Sequence, residues 1–378
     1  MKEYMKRFAR ILFLMISVMG CKKPYNPPAI TSPAGYLVVE GVINAGSDST
    51  TIKLSRTVNI SNANATNPVV HAIVAVQSDQ NVSYPLTETI NGKYVSAGLN
   101  LDVAHQYRLS IQTTNNEQYQ SDLAPVLVTP AIDSLGFEIL SVPADTGIQI
   151  YANTHDPTNT VKYYRWDYDE NWEFSAKYIS YWKADGDSIR LRHANENITI
   201  CYTSDVSSDV VLGSTAKLQQ DIIYQNPIVN IPHTSEKIED DYTILLREYA
   251  LTADAYNFWV SLKKNTEQLG SIFDAQPSQI TGNIHCITNP SQPVIGYISV
   301  CTITSKRIYI SNANLPAWVP TYPYSCQQDA VNSKAEIIST LILDSSRFIP
   351  TTAPNTYSTR ECVDCTIRGS KIPPSFWK

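Results

Sequence analysis

Hydrophobic and polar residues alternate along the chain from Tyr36 to about Thr129, and short clusters of Gly, Asn, Asp and Pro interrupt the alternation. Such alternation places apolar side chains on one face of a β-strand and polar side chains on the other. The pair Asn91-Gly92, between two of these runs, is typical of a tight hairpin turn. The pattern predicts an immunoglobulin-like or transthyretin-like β-sandwich over residues 36–130, with strands in YLVVEGVI, TTIKLSRTV, HAIVAVQS, VSYPLTET, GKYVSA, YRLSIQT and APVLVT.

The remaining region, residues 131–378, is less regular but also favours strands, including NIHCITN and VIGYISVCTITSKRIYI. One segment has helical periodicity, from about Ala253 to Leu269, with Thr252 placed to cap its start and Gly270 to end it. Its apolar face indicates that the helix packs on a sheet and consists of Ala255, Phe258, Trp259, Leu262, Thr266 and Leu269. We therefore predict a mainly β protein whose second, larger β-rich domain carries one packed helix near 253–269.

Residues 163–182, YYRWDYDENWEFSAKYISYW, contain an unusual density of aromatic side chains. On a strand, alternate aromatic residues lie on one face and the charged residues between them on the other. An exposed aromatic face would bind a sugar, a peptide or a partner protein, and its candidate residues are Tyr164, Trp166, Tyr168 and Trp172. The alternative is a core face beneath the helix, and solvent exposure distinguishes the two interpretations.

The first twenty residues have the features of an export signal. Four cationic residues precede the apolar run ILFLMISVM, which is too short to span a bilayer. The pattern Val18-Met19-Gly20-Cys21 resembles a bacterial lipobox, which predicts a signal peptide over 1–20 and fatty acyl chains such as palmitate on Cys21. The alternative is an ordinary signal peptide whose cysteine joins the other thiols. The proline-rich residues 21–35 then predict an extended tether.

Composition and charge exclude some partners. Charged residues make up 17% of the chain and the formal net charge is -6, so no basic surface is expected for nucleic acid. Besides Cys21, six cysteines remain, and in an oxidising compartment they are candidates for disulfide bonds: Cys201, Cys286, Cys301, Cys326, Cys362 and Cys365. We favour a link from Cys326 to Cys362 or Cys365; a redox or zinc role for the Cys362-Val363-Asp364-Cys365 motif is the alternative.

The sequence contains neither HExxH nor GxSxG, and it has no glycine-rich phosphate loop. His285 and Cys286 are adjacent and would point to opposite faces of a strand, so they are a poor nucleophile and base pair. Small groups of carboxylates, around residues 167–170, 185–187 and 239–241, are interpreted as solvated turns. We expect no catalytic residue, no metal site and no cofactor.

Four stretches resemble the domain-of-unknown-function 4249 family of Bacteroidota lipoproteins: YLVVEGVINAGSDSTTIKLSRTV, NTHDPTNTVKYYRWDYDENWEF, KNTEQLGSIFDAQPSQITGNIHCITNPSQPVIGYISV and ECVDCTIRGSKIPPSFW. The resemblance implies an outer-membrane lipoprotein encoded near a TonB-dependent receptor, and it brings no catalytic residues. Lys22 and Lys23 follow Cys21 where surface-export signals often carry acidic residues, so the periplasmic and cell-surface faces both remain open.

These observations predict a protein that is not an enzyme and that helps a TonB-dependent transporter to capture its ligand. One alternative is an assembly or structural factor of the outer membrane. A further alternative is a hydrolase of surface polymers that uses carboxylates brought together by folding.

Overall fold

The computed structural model describes residues 35–58, 67–141, 146–267 and 282–377. The described chain is mainly β, as predicted, and its strands form five sheets. Within these residues, no helix combines the length and the apolar character that a membrane span requires.

The N-terminal sheet contains eleven strands in the order β18-β7-β6-β3-β4-β5-β2-β1-β19, with β8 paired to β6 and β20 paired to β1. The first eight strands are β1 (Leu37–Asn44), β2 (Thr50–Arg56), β3 (Ile73–Ser78), β4 (Ser83–Ile90), β5 (Lys93–Ser96), β6 (Gln106–Gln112), β7 (Gln118–Ser121) and β8 (Ala124–Pro125). The other three strands come from later in the chain and are β18 (Ile284–Cys286), β19 (Val294–Ile295) and β20 (Val300–Cys301).

The predicted hairpin at Asn91-Gly92 is confirmed, since β4 pairs antiparallel with β5 across this turn. Gly92 has a φ of +73°, and a Cβ atom there would lie 2.6 Å from the carbonyl oxygen of Leu54. Only glycine meets both demands without strain.

A segment from the second half of the chain completes the N-terminal core. β19 and β20 pair in parallel with β1, and β18 pairs with β7. Ile284, Val294 and Val300 are buried in the same cluster as Leu37 and Ile43. The core built by the first alternating strands is therefore closed by residues far away in sequence.

The second region contains the four remaining sheets. Their orders are β16-β10-β9, then β14-β11-β17-β21 with β15 also paired to β11, then the hairpin β12-β13, and finally β22-β24-β23. The strands are β9 (Ile132–Leu140), β10 (Gly147–His155), β11 (Tyr163–Ser175), β12 (Trp182–Asp185), β13 (Ser188–Leu191), β14 (Ile200–Val206), β15 (Val211–Ser214), β16 (Ile222–Pro232), β17 (Asp241–Ala250), β21 (Ile303–Ser311), β22 (Asp329–Ala330), β23 (Phe348–Pro350) and β24 (Thr356–Thr359).

The predicted helix is α1 (Ala253–Glu267). The Oγ1 atom of Thr252 accepts a hydrogen bond of 3.2 Å from the amide of Ala255, which confirms its capping role. Ala255 and Phe258 are buried, and the helix contacts β11 and β15. Leu269 and Gly270 lie outside the described residues. Shorter helical segments span Ala194–Glu196, Glu236–Ile238, Asn312–Asn314, Lys334–Glu336, Ile337–Ile342, Arg360–Val363 and Cys365–Ile367.

Candidate functional site

One face of β11, the first part of the aromatic stretch, lies in the core. β11 alternates strictly between partly buried and buried positions, and the buried face carries all four residues predicted to form a ligand or partner surface. Tyr164, Trp166, Tyr168 and Trp172 are only 0%, 1%, 4% and 7% exposed. The prediction of a binding surface at these residues is therefore wrong. The central strand β11 turns this face towards the sheet β16-β10-β9, and Ile148, Ile150 and Ile231 of that sheet are buried in the same cluster.

The polar atoms of these rings find partners inside the core. The Nε1 atom of Trp166 donates to Glu248 at 2.8 Å, and the hydroxyl of Thr154 donates to the same carboxylate at 2.9 Å. Thr154 belongs to β10 and Glu248 to β17, so this carboxylate joins two sheets. Glu248 is fully buried, and this burial raises its pKa to about 7 even though both hydrogen bonds lower it.

A second buried carboxylate binds the same aromatic face. The hydroxyls of Tyr164 and Thr215 both donate to Asp221, which is 2% exposed. Burial, together with this hydrogen bond, raises the pKa of Tyr164 far above its ordinary value. These carboxylates satisfy core hydroxyls and thereby fix the packing of the sheets.

The carboxylates around residue 169 are not in a turn, contrary to the prediction, because they belong to β11. Glu170 is buried and accepts hydrogen bonds from Lys237 at 2.5 Å and from Tyr242 at 2.6 Å. On the opposite face of the strand, Arg247 binds Asp169 through two nitrogen atoms.

Four of the six candidate disulfide cysteines are bridged. Cys326 bonds to Cys362, one of the two favoured pairings, and Cys201 bonds to Cys365. The CxxC motif therefore supplies one cysteine to each of two bridges. Two of the candidates, Cys286 and Cys301, are buried free thiols, so the prediction is wrong for them. Cys21 lies outside the described residues.

His285 and Cys286 face opposite sides of β18, as predicted. His285 is exposed and lies 3.1 Å from Asp122, whereas Cys286 is buried near the hydroxyl of Thr288. Within the described parts of the chain, no group of three histidine, cysteine or acidic side chains is arranged to hold a metal ion.

A cleft of about 290 Å³ lies where the N-terminal sheet meets the start of α1. Three separate segments build it: the chain at β7 and β8, the first turn of α1, and the chain around β18 to β20. The residues that line the cleft are Asp122, Leu123, Ala124, Pro125, Leu127, Thr252, Asp254, Asn283, Tyr297, Ile298, Ser299 and Val300. Ligand sites in proteins commonly occupy such junctions between packed units.

Backbone pairing holds the walls of the cleft in place. The amide of Asp122 donates to the carbonyl of Asn283 at 2.8 Å, and the side chain of Asn283 makes two bonds of 2.9 Å to the backbone of Ile298. Before Tyr297, Gly296 has a φ of +136°, and a Cβ atom there would lie 2.2 Å from the carbonyl oxygen of Val39. This close approach to β1 fixes the path of the chain from β19 through Tyr297 to β20.

The cleft is acidic. Its charged lining residues among those described are Asp122 and Asp254, and both act on the phenol of Tyr297. Burial raises the pKa of Tyr297, a hydrogen bond with Thr252 opposes the rise, and the two carboxylates add to it. The ring of Tyr297 also packs 5.3 Å from that of Phe258, which connects this wall of the cleft to the buried face of α1.

Sequence reasoning did not identify this cleft. Thr252 was predicted only as the N-cap of a helix, and Asp254 lies in the first turn of that helix. Asp122 and Ser299 belong to no motif, and no local spacing connects them. Only the pairing of β18 and β20 with the N-terminal sheet brings these segments together.

Residues 22–307 match the family described as Domain of unknown function (DUF4249). The chain belongs to this family. The match covers more than half of the chain, including every residue of the cleft and the core face of β11. In this DUF4249 chain, three of the four bridged cysteines, Cys326, Cys362 and Cys365, lie beyond the matched residues, as does the C-terminal stretch noted in the sequence. No curated protein matches the chain.

Proposed function

We propose that this DUF4249 chain is a lipid-anchored protein of the bacterial outer membrane that captures a ligand for a TonB-dependent transporter. It acts by binding rather than by catalysis. The acyl chains on Cys21 hold the protein at the membrane, the proline-rich residues 21–35 separate the folded part from the lipid, and the cleft receives the ligand.

The membrane location is supported by the leader and by the disulfides. A cationic segment, a short apolar run and a small residue directly before Cys21 are what lipoprotein processing requires. The bonds Cys201–Cys365 and Cys326–Cys362 are expected of a protein that folds in an oxidising compartment outside the cytoplasm.

The binding role is carried by one observation, the cleft between the N-terminal sheet and α1. Its walls are held by backbone hydrogen bonds, whereas the aromatic face of β11 is buried in the core and is not available to a ligand. The cleft is a concave surface that presents carboxylates and hydroxyl groups together. A preformed site of this kind is able to bind a small polar ligand without large rearrangement.

Replacing the acylated sulfur tests the location. We expect Cys21→Ser to move the protein from the membrane fraction to the soluble fraction of the envelope, because the acyl chains supply the anchor. Cys286→Ser is the matched control, since that buried thiol already lies near the hydroxyl of Thr288 and should not alter fractionation. Membrane retention of Cys21→Ser equal to that of the control would overturn the location.

The same membrane preparation tests the partner. The wild-type protein, extracted in mild detergent, should co-purify with a TonB-dependent β-barrel receptor identified by mass spectrometry. Recovery of an outer-membrane assembly machine in its place would favour the assembly-factor alternative and contradict the capture role.

A further inference from the structure

We propose that the cleft between β8, β20 and the start of α1 binds a small organic cation through an ammonium or guanidinium group, with Asp122 and Asp254 as its counter-charges. This proposal rests on the proposed capture function and names the ligand class for the same site.

The first argument is charge. The described lining residues include two carboxylates and no lysine or arginine. The side chain of Asp122 is 64% exposed, and its neighbour at 3.1 Å is the imidazole of His285 rather than a permanent cation. Asp254 is exposed in the first turn of α1. A positively charged ligand nitrogen would therefore meet no competition from a lysine or arginine of the described cleft lining when it binds the carboxylates of Asp122 and Asp254.

The second argument is independent of the carboxylates. Ser299 is 7% exposed, yet its hydroxyl makes no hydrogen bond to any described residue. Ser299 lines the cleft. The cleft is therefore where this hydroxyl is able to meet water or a ligand. A buried hydroxyl without a partner costs free energy unless water or a ligand binds it.

The groups in the cleft are mainly hydrogen-bond acceptors or hydroxyls. The hydroxyls of Tyr297 and Thr252 both line the cleft, and each oxygen retains a lone pair for another donor. Asn283 uses one amide proton for the carbonyl of Ile298 and retains a second. A ligand that donates several N–H bonds and carries a hydroxyl or carbonyl group satisfies this set better than an anion does.

The volume limits the size of the ligand. A cleft of about 290 Å³ lies at the lower end of the range of about 300–1,000 Å³ that small-molecule sites occupy. It fits a short amine or the end of one basic side chain, not an extended oligosaccharide. The cation belongs either to a free amine or to a lysine or arginine side chain of a peptide, and the experiment separates these two sources.

The test is calorimetric titration of the purified full-length lipoprotein in detergent at low salt. The probes are putrescine, its neutral isostere 1,4-butanediol, and the blocked tripeptides Gly-Arg-Gly and Gly-Lys-Gly. We expect saturable binding of at least one cationic probe and none of butanediol. Binding of putrescine alone identifies a free amine, and tighter binding of a tripeptide identifies a basic side chain.

Variants locate the site. Asp122→Asn and Asp254→Asn should each weaken binding by about tenfold or more, the loss expected when a charge-assisted hydrogen bond is removed. Ser299→Ala should weaken binding by a smaller factor. Asp187→Asn, at an exposed hairpin turn, removes the same charge away from the cleft and should leave binding unchanged. Thermal unfolding of each variant checks the fold.

Absence of saturable binding by every cationic probe, equal binding of butanediol, or binding that survives both cleft substitutions would overturn the proposal. None of these results affects the fractionation of Cys21→Ser or the co-purifying receptor. Failure of the cation site is thus distinguishable from failure of the capture function.

Discussion

At the scale of single residues, the second region depends on carboxylates placed inside its core. Glu248 and Asp221 sit beneath the aromatic face of β11 and accept hydrogen bonds from its rings. Neither is bonded to a described lysine or arginine there, in contrast to Glu170, which binds Lys237. Glu248 in particular is buried with two neutral donors, an arrangement that favours its protonated form.

Glu248 should make stability depend on pH. Its pKa is about 7 in the folded protein and near 4.5 when unfolded, so between these values the folded state holds a proton that the unfolded state has released. The contribution of Glu248 to the free energy of unfolding is fully present below about pH 4.5. This contribution, about 3 kcal/mol, is lost as the pH rises to about 7. Glu248→Gln imitates the protonated form and should abolish this loss.

The measurement is the free energy of unfolding by denaturant from pH 4 to 8, taken as the difference between wild type and variant so that other groups cancel. Glu40→Gln, at an exposed position of β1, is the control and should follow the wild-type curve. If the free energy of unfolding of Glu248→Gln changed with pH in parallel with that of the wild type, the raised pKa of Glu248 in the folded protein would be contradicted.

At the scale of elements, the loop between β10 and β11 is organised by one side chain. Asp156 accepts five hydrogen bonds of 2.6–2.9 Å from the backbone and side chains of Thr158 and Thr160 and from the amide of Val161. Burial opposes ionisation, but the bonds from Thr158, Val161 and Thr160 outweigh it and hold the pKa of Asp156 well below its ordinary value. The loop thereby directs the chain into β11.

Asp156→Ala should destabilise the protein by about 3 kcal/mol, because it leaves three amides and two hydroxyls without their acceptor. The free energy of unfolding at pH 7 measures this effect. Asp187→Ala, in the exposed turn after β12, is the control and should change stability by less than about 0.5 kcal/mol. Equal stability of the two variants would show that Asp156 does not organise the loop.

Local pattern predicted elements well where each run belongs to one strand. The six predicted runs from YLVVEGVI to YRLSIQT coincide with β1 to β6, apart from one end residue each of β1, β4 and β6, and α1 begins at the predicted residue. β7 was missed because Gln118–Ser121 carries a single large apolar residue, Tyr119. The run at residues 294–310 was predicted as one strand but forms β19, β20 and β21, the last of which joins a different sheet. An apolar run in the sequence does not show where one strand ends and the chain crosses to another sheet.

At the scale of the whole molecule, two disulfides tie the C-terminal segment to the body. Cys201–Cys365 closes a loop with a sequence separation of 164 residues and anchors this segment to β14, whereas Cys326–Cys362 closes one of 36. A crosslink that closes a longer loop removes more entropy from the unfolded chain. The bridge to β14 should therefore contribute more to stability.

The double variant Cys201→Ser/Cys365→Ser should lose about 1 kcal/mol more free energy of unfolding than Cys326→Ser/Cys362→Ser. Each pair serves as the control for the other, since both replace two buried or partly buried sulfurs by hydroxyls. Denaturant unfolding of both variants, with thiol titration to confirm one remaining bridge, measures the difference. A larger loss from the shorter loop would contradict the entropic account.

The sequence by itself determined the mainly β class and the capped helix start at Thr252, because each depends on residues close together in the chain. For the same reason it predicts the lipid site at Cys21. The tertiary structure alone decided that the aromatic face of β11 is core, that the CxxC cysteines belong to two bridges, and that Asp122, Asp254 and Ser299 share one cleft. Each of these depends on contacts between segments far apart in sequence. Periodicity tells which face of a strand is apolar, but not which other segment will cover it.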